Sequence, residues 1–494
     1  MRLNDVRSRR SFLRFAAATA ATGASLLAAC SQPAAPAQEA KPASQAAPAA
    51  PPAASKPADA KPAADAKPSG DFDWKRFNGK TLQIALNKHP YTESLMPQIP
   101  QFEQLTGIKV TNLTLPENEY FQKILVDLST GAGEYDVFMT GPTRHWAYSR
   151  AGWIQPLDDF LDDPKLTAPD YQKDDLFPAL VGANRWDQTI NGGVGKGKLY
   201  AIPVHVETYV QVYRKDLYDQ AGIKPANTVE EWRANNKKIT QGDVKGVIAR
   251  GFKGGGIAGT GFASMFRSYG GRVFDESGQC QINTPEGIHV ATEYCASMKE
   301  SGPPGWTSVT WYEGQEGFAA GQYGGYMDCD FFSALYENKE KSKVAGKIAL
   351  APVPRAPGKD PVSGLFTWAL GMSSKARDKN AAWYFIMWAT SKAQMQKATI
   401  EGRNYNPTRK SVFDHADVQA TLKSWGNGTY LPVVLDNLNK NASMNWPGQP
   451  EGPFVGTRWD QALQEIWGGA DAKQALTSAK EDIDGQMKKA GLLK

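Results

Sequence analysis

Two short segments of the chain place side chains capable of hydrogen bonding or proton transfer at alternate positions. In a β-strand, residues two apart share one face, so each pair would present both side chains to the same partner. Carboxylates and imidazoles in such pairs can hydrogen-bond hydroxyl groups or transfer protons. The pairs are His205 with Glu207 and Asp328 with Asp330.

The first pair lies in a long alternating segment, Tyr200–Tyr218. Aliphatic and β-branched residues occupy one face from Val204 to Val212, and His205 and Glu207 lie on the other. This alternation predicts a strand. Its length and its polar, aromatic second face favour a strand that leaves one domain and enters another, with a half-buried strand of a single sheet as the alternative. Two further crossings are predicted, at residues 324–332 and 365–372.

Short strands and helices alternate between residues 81 and 139. The predicted strands 81–86, 109–114 and 135–139 are separated by the predicted helices 93–105 and 119–129. This order predicts parallel βαβ units, whose ligands bind at the carboxyl ends of the strands. Beyond residue 376 the pattern predicts mostly helices. Polar residues follow the first and third strands: Asn87, His89, Thr140 and Arg144.

The first 29 residues have the features of an export signal. Ser8–Arg14 has the sequence S-R-R-S-F-L-R, a twin-arginine motif, and the Ala-rich segment after it is too short to span a membrane. The sequence Leu-Ala-Ala-Cys at 27–30 has the form of a bacterial lipobox. We therefore expect residues 1–29 to be a twin-arginine lipoprotein signal peptide and Cys30 to be lipidated. The protein would be anchored at the outer face of the bacterial cytoplasmic membrane, or periplasmic.

Residues 30–70 are rich in Ala and Pro and contain no aromatic residue. Such a segment buries too little apolar surface to fold, so it is predicted to be a tether. The leader carries five Arg and one Asp, which is +4 of the chain's net +5, and leaves about +1 on the mature protein. A nearly neutral protein gives no support for nucleic acid as a partner.

Three cysteines follow Cys30, at positions 280, 295 and 329. No CxxC or His-rich spacing accompanies them, so neither a metal nor a cofactor is expected. Cys280 and Cys295 bracket a predicted strand-to-helix turn and could pair in an oxidising compartment. Twin-arginine export carries proteins that have already folded, so this pairing stays open.

Several short motifs follow one another in a specific order between Thr81 and Leu493. They are F-x-x-x-T-G-I-K-V at 102–110, Y-D-V-F at 135–138, A-G-W-I-Q-P-L-D at 151–158, Y-A-I-P at 200–203 before Y-R-K-D-L at 213–217, A-A-W-Y-F-I-M-W-A-T-S-K at 381–392, and N-P-T-R-K-S-V at 406–412. This order, with the lipoprotein leader, resembles extracellular solute-binding proteins of the carbohydrate-uptake group. These are the maltose-binding type that serves ATP-binding-cassette (ABC) importers. The segments M-T-G-P, H-V-E-T, W-A-T-S-K and R-K-S are similar to its sugar and sugar-alcohol branch.

The resemblance implies an α/β fold of the two-lobed periplasmic-binding-protein type, with three interlobe crossings and the ligand in the cleft. Lobe 1 is expected to contain residues 71–206 and 331–367. Lobe 2 is expected to contain residues 207–330 and 368–494, with a helical C-terminal part. The resemblance also implies a monomer that captures a sugar, an oligosaccharide or a sugar alcohol, delivers it to ABC permease subunits, and is not an enzyme.

The resemblance also assigns ligand-binding roles to particular positions. Aromatic rings among them would pack on the C–H face of a sugar, and the polar residues would bind its hydroxyls. Thr140 stands where the maltose-binding member has an aromatic residue, which weakens the case for maltose. The expected residues are Asn87, His89, Thr140, Arg144, His205, Glu207, Trp306, Trp311, Asp328, Asp330, Phe366, Trp368, Arg403, Trp446 and Phe454.

Two other classes of protein remain open. The same fold serves receptors for peptides, polyamines and metal ions. An exported carbohydrate-active enzyme is the less favoured alternative, with Asp328 and Asp330 as general acid and base. A glycosidase needs two carboxyl groups on opposite sides of the bond, about 5–9 Å apart, which two residues of one strand supply poorly. The chain also has no G-x-S-x-G, H-E-x-x-H or Walker motif.

Overall fold

A computed structural model describes residues 72–192, 194–254 and 256–493 of the chain. The predicted signal peptide, Cys30 and all but the last residues of the N-terminal region before Thr81 lie outside this part. Among the described residues, no helix combines the length and the apolar character that crossing a membrane requires.

The described part contains ten strands. They are β1 (Thr81–Asn87), β2 (Lys109–Leu115), β3 (Val137–Thr140), β4 (Arg185–Trp186), β5 (Lys198–Leu199), β6 (Ala201–Arg214), β7 (Gly325–Cys329), β8 (Ile348–Ala351), β9 (Ser363–Met372) and β10 (Ala442–Ser443).

The same part contains nineteen α-helices, many of them short. They are α1 (Pro90–Leu95), α2 (Ile99–Thr106), α3 (Glu117–Thr130), α4 (Pro142–Arg150), α5 (Asp158–Asp162), α6 (Pro178–Ala183), α7 (Lys215–Ala221), α8 (Val229–Ile239), α9 (Gly261–Ser268), α10 (Pro285–Ser301), α11 (Trp311–Ala319), α12 (Ser333–Tyr336), α13 (Lys379–Ala389), α14 (Lys392–Ile400), α15 (Lys410–Phe413), α16 (Ala416–Ser424), α17 (Tyr430–Asp436), α18 (Gly452–Gly468) and α19 (Ala472–Lys489).

Local sequence explains where several helices begin and end. The side chains of Thr228 and Thr284 accept hydrogen bonds from the first-turn amides of α8 and α10, which satisfies donors that have no partner within the helix. Gly107 and Gly131 end α2 and α3 with φ angles of 73° and 68°, a region that favours glycine. These predicted helix boundaries are confirmed.

The main sheet has the strand order β2-β1-β3-β9-β6-β7, with β8 paired to β6 and β10 to β9. Strands β1, β2 and β3 are parallel, as the alternation of strands and helices predicts. Strand β9 runs antiparallel to both β3 and β6, so it joins the parallel part of the sheet to the rest. Thr140, the last residue of β3, pairs with Ala369 of β9, and Ala369 pairs in turn with Pro203 near the start of β6.

The predicted crossing strand is confirmed as β6, fourteen residues long. Its first half pairs with β9 from Ala201 to Thr208, with a register shift between Pro203 and His205. Its second half pairs with β7 from Tyr209 to Tyr213. All its residues except Arg214 are buried, because both faces of the strand are covered by other elements. This excludes the half-buried strand that was the alternative.

Two large hydrophobic cores contain most of the buried side chains. One consists of residues between Leu82 and Val204 and between Trp368 and Val412. The other consists of residues between Tyr209 and Val353 and between Phe413 and Leu493. The chain therefore passes from one core to the other within β6, along β9, and again between Val412 and Phe413.

This distribution differs from the expected lobe segments at two places. Residues 331–353 pack in the same core as β7, so the chain stays there after Cys329 and the second crossing is β9. Residues 368–395 pack in the core of β1 and β3. The reason is α13, which is buried along most of its length and packs Phe385 and Trp388 against Phe102 of α2.

The three described cysteines are free and buried. The disulfide between Cys280 and Cys295 that the sequence left open is therefore absent from the described structure. The Cys295 thiol instead donates a hydrogen bond to the Leu463 carbonyl over 3.3 Å.

Candidate functional site

A cavity with about 1120 Å³ of atom-free space, which includes its open mouth, lies between the two cores. Both cores and both long strands contribute to its wall, so its shape depends on how the cores are held together. Side chains that line it include His89, Glu117, Phe121, Arg144, Glu207, Tyr209, Arg250, Phe252, Trp311, Phe331, Phe332, Phe366, Trp368 and Trp446.

The structure brings about half of the expected site residues to this cavity. They come from the loop after β1, from α4, from the two long strands, from the start of α11 and from the loop before α18. These residues are His89, Arg144, Glu207, Trp311, Phe366, Trp368 and Trp446.

Glu207 and Trp368 form the floor of the cavity. The strand register sets Glu207 opposite Phe366 and His205 opposite Trp368, so Trp368 lies diagonally from Glu207. The Trp368 indole N–H donates a hydrogen bond to Oε1 of Glu207 over 3.0 Å. Burial raises the pKa of Glu207, while the nearby Arg250 guanidinium lowers it. The contact fixes one carboxylate oxygen, and the structure records no hydrogen bond to the other among the described residues.

His89 is held with one ring nitrogen directed at this floor. Its Nδ1 accepts a hydrogen bond from the Tyr91 amide over 3.1 Å and caps α1. Burial lowers the pKa of His89 to about 3, so the ring is neutral and its proton is on Nε2. This nitrogen lies 3.9 Å from Oε1 of Glu207. His89 can therefore donate a hydrogen bond to a hydroxyl oxygen in the cavity.

The same geometry bears on whether the floor could hold a metal ion. Potential ligand atoms of His89, His205 and Glu207 lie within 4.8 Å of one another. A metal needs an unprotonated nitrogen from each histidine, and the His89 nitrogen that faces the group carries the proton. The three residues therefore do not fit a metal site in this arrangement.

Arg250 and Asp328 form a buried ion pair beside the cavity. The guanidinium donates to the two carboxylate oxygens over 2.7 and 2.8 Å, and Asp328 has no exposed surface. The structure thus places Arg250, which the sequence did not suggest, on the cavity wall and Asp328 behind it. A buried aspartate needs a cationic partner, so the sequence could suggest that Asp328 has one. It could not identify Arg250 as that partner, because the two residues are 78 positions apart.

Asp330 lies away from the cavity wall and joins chain segments below it. Its carboxylate accepts hydrogen bonds from the Thr208 amide over 2.8 Å and from the Asn406 side chain over 3.2 Å. Burial raises the pKa of Asp330 to about 7, although the Thr208 bond opposes this. Because β7 ends at Cys329, the alternation that was expected to align Asp330 with Asp328 stops one residue short.

The other expected residues lie in three kinds of surroundings. Trp306 packs in the second core and donates its indole N–H to the Ala249 carbonyl over 3.1 Å. Arg403 is exposed, and Phe454 is also exposed, in the first turn of α18. The remaining residues are fully buried beneath the floor: Asn87, Thr140 and His205. None of these lines the cavity.

Glu117 and Trp311 join the two sides of the cavity at its wall. The Trp311 indole N–H donates a hydrogen bond to Oε2 of Glu117 over 2.7 Å. Each residue begins a helix, α3 and α11 respectively, and a capping box of Thr310 and Glu313 fixes the start of α11. Burial raises the pKa of Glu117, and Arg250 and Arg144 oppose this. Glu117 was not among the expected site residues, because nothing in the local sequence distinguishes it from an ordinary acidic residue in the first turn of a helix.

Phe121 and Arg144 supply a ring and a positive charge to the same wall. The Arg144 guanidinium carbon lies 3.6 Å from the centre of the Phe121 ring, a cation–π geometry. The Phe121 ring also stacks on Trp368, with the ring centres 5.8 Å apart and 10° between the ring planes. No carboxylate of the described residues forms an ion pair with Arg144, so its charge is available to a ligand.

The Gly-rich segment 251–261 forms another part of the wall through Gly254, Gly259 and Thr260. The carboxylate of Asp460 in α18 accepts hydrogen bonds from three amides, those of residues 256, 257 and 258, over 3.0, 3.1 and 2.7 Å. A run of backbone amides of this kind can bind an anion. Here a side chain of the protein itself fills that role, so the segment is a wall and not a phosphate-binding loop.

Residues 88–396 match the family of bacterial extracellular solute-binding proteins, and the chain belongs to this family. It is 30% identical over 419 residues to an erythritol/L-threitol-binding protein of Mycolicibacterium smegmatis, a match that covers 83% of this chain and 86% of that protein. The family is described as extracellular and solute-binding, and this relative is a binding protein by name. The predicted family resemblance is thus confirmed.

Two solved structures of ABC transporter solute-binding proteins are similar over most of the chain. One, from Agrobacterium radiobacter K84 in complex with ribitol, has a TM-score of 0.73 and 26% identity, and covers 82% of this chain and 98% of that chain. The other, from Agrobacterium vitis S4 with bound D-mannitol, has a TM-score of 0.71 and 30% identity, and covers 83% of this chain and 99% of that chain. The predicted two-lobed α/β fold is confirmed.

Proposed function

We propose that the protein captures a sugar alcohol or a related sugar in the cavity and delivers it to an ABC importer. The observation that carries this proposal is the floor formed by Glu207 and Trp368, where one carboxylate oxygen is fixed and the other has no recorded partner. The similar solute-binding proteins support it, because one is named for binding erythritol and L-threitol and two have ribitol or D-mannitol bound in their structures.

The chemistry of the wall suits hydroxyl groups, each of which both donates and accepts a hydrogen bond. Glu117 and Glu207 accept, and Arg144 and the Nε2–H of His89 donate. The rings of Phe366 and Trp368 offer apolar surface to the C–H groups of the same ligand. A small polyol surrounded in this way would leave few of its polar groups without partners.

We assign ligand contact to the expected residues that line the cavity and to Glu117, Phe121 and Arg250. For the buried residues Asp328 and Asp330 we propose a supporting role, because Asp328 binds Arg250 and Asp330 binds the Thr208 amide of β6. For His205 we propose that its ring packs against His89 and Phe331 of the wall. Catalysis is not part of the proposal, since the carboxylates near the cavity are engaged by indole or guanidinium groups.

Further parts of the proposal rest on the sequence. Residues 1–29 act as a twin-arginine lipoprotein signal, Cys30 carries a lipid, and residues 31–70 tether the folded part to the membrane. The folded part works as a monomer and docks on the permease subunits of its importer. Mass spectrometry of the protein from its native membrane tests the anchor, and an unmodified chain that still contains residues 1–29 would contradict it.

Isothermal titration calorimetry tests the ligand class. The panel consists of erythritol, ribitol, mannitol and maltose, with spermidine and a tripeptide as probes of the alternative receptor classes. We expect at least one sugar alcohol to bind, and maltose to bind more weakly. Binding of only the amine or the peptide would contradict the proposal, and release of a chemically altered sugar, detected by NMR, would indicate an enzyme.

A further inference from the structure

We infer that Glu117 and Glu207 make this site selective for uncharged polyols and cause it to reject the corresponding sugar acids. The inference rests on the proposed function and adds the charge class of the ligand. It depends on which charges near the cavity are already paired and on which hydrogen atoms the wall needs from its ligand.

The two guanidinium groups that line the cavity differ in whether their charge is already paired. Arg250 is bound through two hydrogen bonds to the buried carboxylate of Asp328, so its charge is already balanced. Arg144 forms no ion pair with a described residue and lies on the ring of Phe121. The wall therefore offers one free positive charge.

The cavity wall also carries two carboxylates that have no cationic partner of this kind. Glu117 and Glu207 both line the cavity, and neither forms an ion pair with a guanidinium or an ammonium group of the described residues. Two carboxylates against one free guanidinium give the wall an excess of negative charge. Because Glu207 is buried and the cavity is partly enclosed, solvent and salt screen this excess weakly.

The same two carboxylates each have one oxygen that needs a hydrogen-bond donor from the ligand. One oxygen of each carboxylate is occupied by an indole N–H, from Trp311 for Glu117 and from Trp368 for Glu207. The second oxygen of each has no hydrogen bond among the described residues, and an ionised carboxylate can only accept. A polyol hydroxyl supplies the hydrogen that each oxygen needs, whereas a carboxylate at the end of a sugar acid has none to supply.

A sugar acid would thus meet both a like charge and an unmatched acceptor. Sites that hydrogen-bond a ligand hydroxyl reject analogues that lack the donor strongly, and a like charge adds to this. The opposing possibility is that Arg144 captures the acid's carboxylate and outweighs both effects. The two possibilities predict opposite orders of affinity.

The experiment compares neutral and acidic forms of the same carbon chain by calorimetry at pH 7.5. The probes are erythritol against erythronate and mannitol against mannonate. For whichever pair contains the better-binding polyol, we expect the polyol to bind at least about 100-fold more tightly than its acid. An acid that binds within threefold of its polyol, or more tightly, would overturn the inference and leave the solute-binding role intact. If neither of these polyols binds but ribitol does, ribitol and ribonate form the test pair. If no sugar alcohol of the calorimetry panel binds, the proposed function itself fails, and the inference with it.

The variants test the two named residues. Glu117→Gln and Glu207→Gln each remove one negative charge and place an amide donor in the wall. We expect each to shift the ratio of acid to polyol affinity at least about tenfold toward the acid. Glu119→Gln is the matched control, since Glu119 is an exposed residue of the same helix. If both cavity variants have the same ratio of acid to polyol affinity as the control, other residues set the selectivity.

Discussion

The indole N–H of Trp311 reaches across the cavity to Oε2 of Glu117, 2.7 Å away and 194 positions earlier in the chain. Trp311 packs in the second core, while Phe121, on the same helix as Glu117, packs in the first. Beside it, the Tyr312 hydroxyl donates to the Lys88 carbonyl over 3.2 Å. Both contacts exist only while the two cores are close together, so they stabilise the closed cavity.

Trp311→Phe removes the donor and keeps most of the ring. A hydrogen bond to a charged group contributes about 1.5–3 kcal/mol, so we expect ligand affinity to fall about tenfold or more. Calorimetry measures the affinity, and small-angle scattering should show a less compact protein at equal ligand saturation. Trp306→Phe is the control, because its indole bonds Ala249 inside one core. It should lower the melting temperature and leave affinity nearly unchanged; the reverse pattern would contradict the assignment.

Asp328→Asn should be strongly destabilising, because it leaves the Arg250 charge without its buried partner. Breaking such a pair typically removes about 3–5 kcal/mol from the free energy of unfolding, which urea denaturation measures. The double variant Asp328→Leu, Arg250→Met removes both charges and should recover much of that stability while ligand affinity stays low. If the single variant unfolds at the wild-type urea concentration, the ion pair is not a structural support.

Asp460→Ala should loosen the Gly-rich wall of the cavity, because three amides lose their shared acceptor. We expect faster hydrogen exchange at residues 256–258 and weaker ligand binding. Asp482→Ala is the control, since the exposed carboxylate of Asp482 pairs with Arg458 and exposed pairs contribute little. Unchanged exchange at residues 256–258 in the Asp460 variant would show that other contacts hold the segment.

Acid should destabilise the protein through its buried histidines. Burial lowers the pKa of His145 to about 3 from 6.5, as it does for His89 and His205. The unfolded chain therefore binds more protons than the folded one between these values, and stability is lost as pH falls below 6.5.

Asp330 acts in the opposite direction: its folded pKa of about 7 lies above the ordinary 3.8, so acidification between pH 7 and 4 favours the fold.

His145→Gln isolates one of these groups away from the cavity. Between pH 7.5 and 5.5 we expect the variant to lose about 1.4 kcal/mol less unfolding free energy than the wild type, one pKa unit's worth. Urea denaturation at the two pH values measures the difference. An equal loss in both proteins would mean that His145 titrates normally in the folded state.

Local patterns in the sequence predicted β1, β2, β3, β6 and several helix boundaries, and they predicted part of the candidate site. The alternation from Val204 to Val212 predicted β6, and the motif order predicted the family. His89, Glu207 and Trp368 could be found because strand ends and crossing strands border the cleft in this fold. Each of these features depends on a short segment of the chain or on its place in a known fold.

What the sequence did not provide depends on contacts between distant residues. Arg250 is paired over 78 positions and Glu117 over 194, and no local signal marks either partner. The assignment of residues 331–353 and 368–395 to their cores depended on packing, because each segment buries apolar side chains and its sequence does not say against which core. The role expected for Asp330 depended on one residue of strand length, which periodicity alone does not determine.

Strand β6 runs through both cores, and its first half is hydrogen-bonded to β9 from Ala201 to Thr208. Such a ladder resists sliding, because sliding would break several bonds at once, but it yields to bending and twisting across the strands. The register shift between Pro203 and His205 interrupts the ladder at one place, and proline has no amide hydrogen to restore it. A flexure of β6 and β9 about this point, next to the residues that form the cavity floor, therefore breaks fewer ladder hydrogen bonds than a slide of one strand along the other.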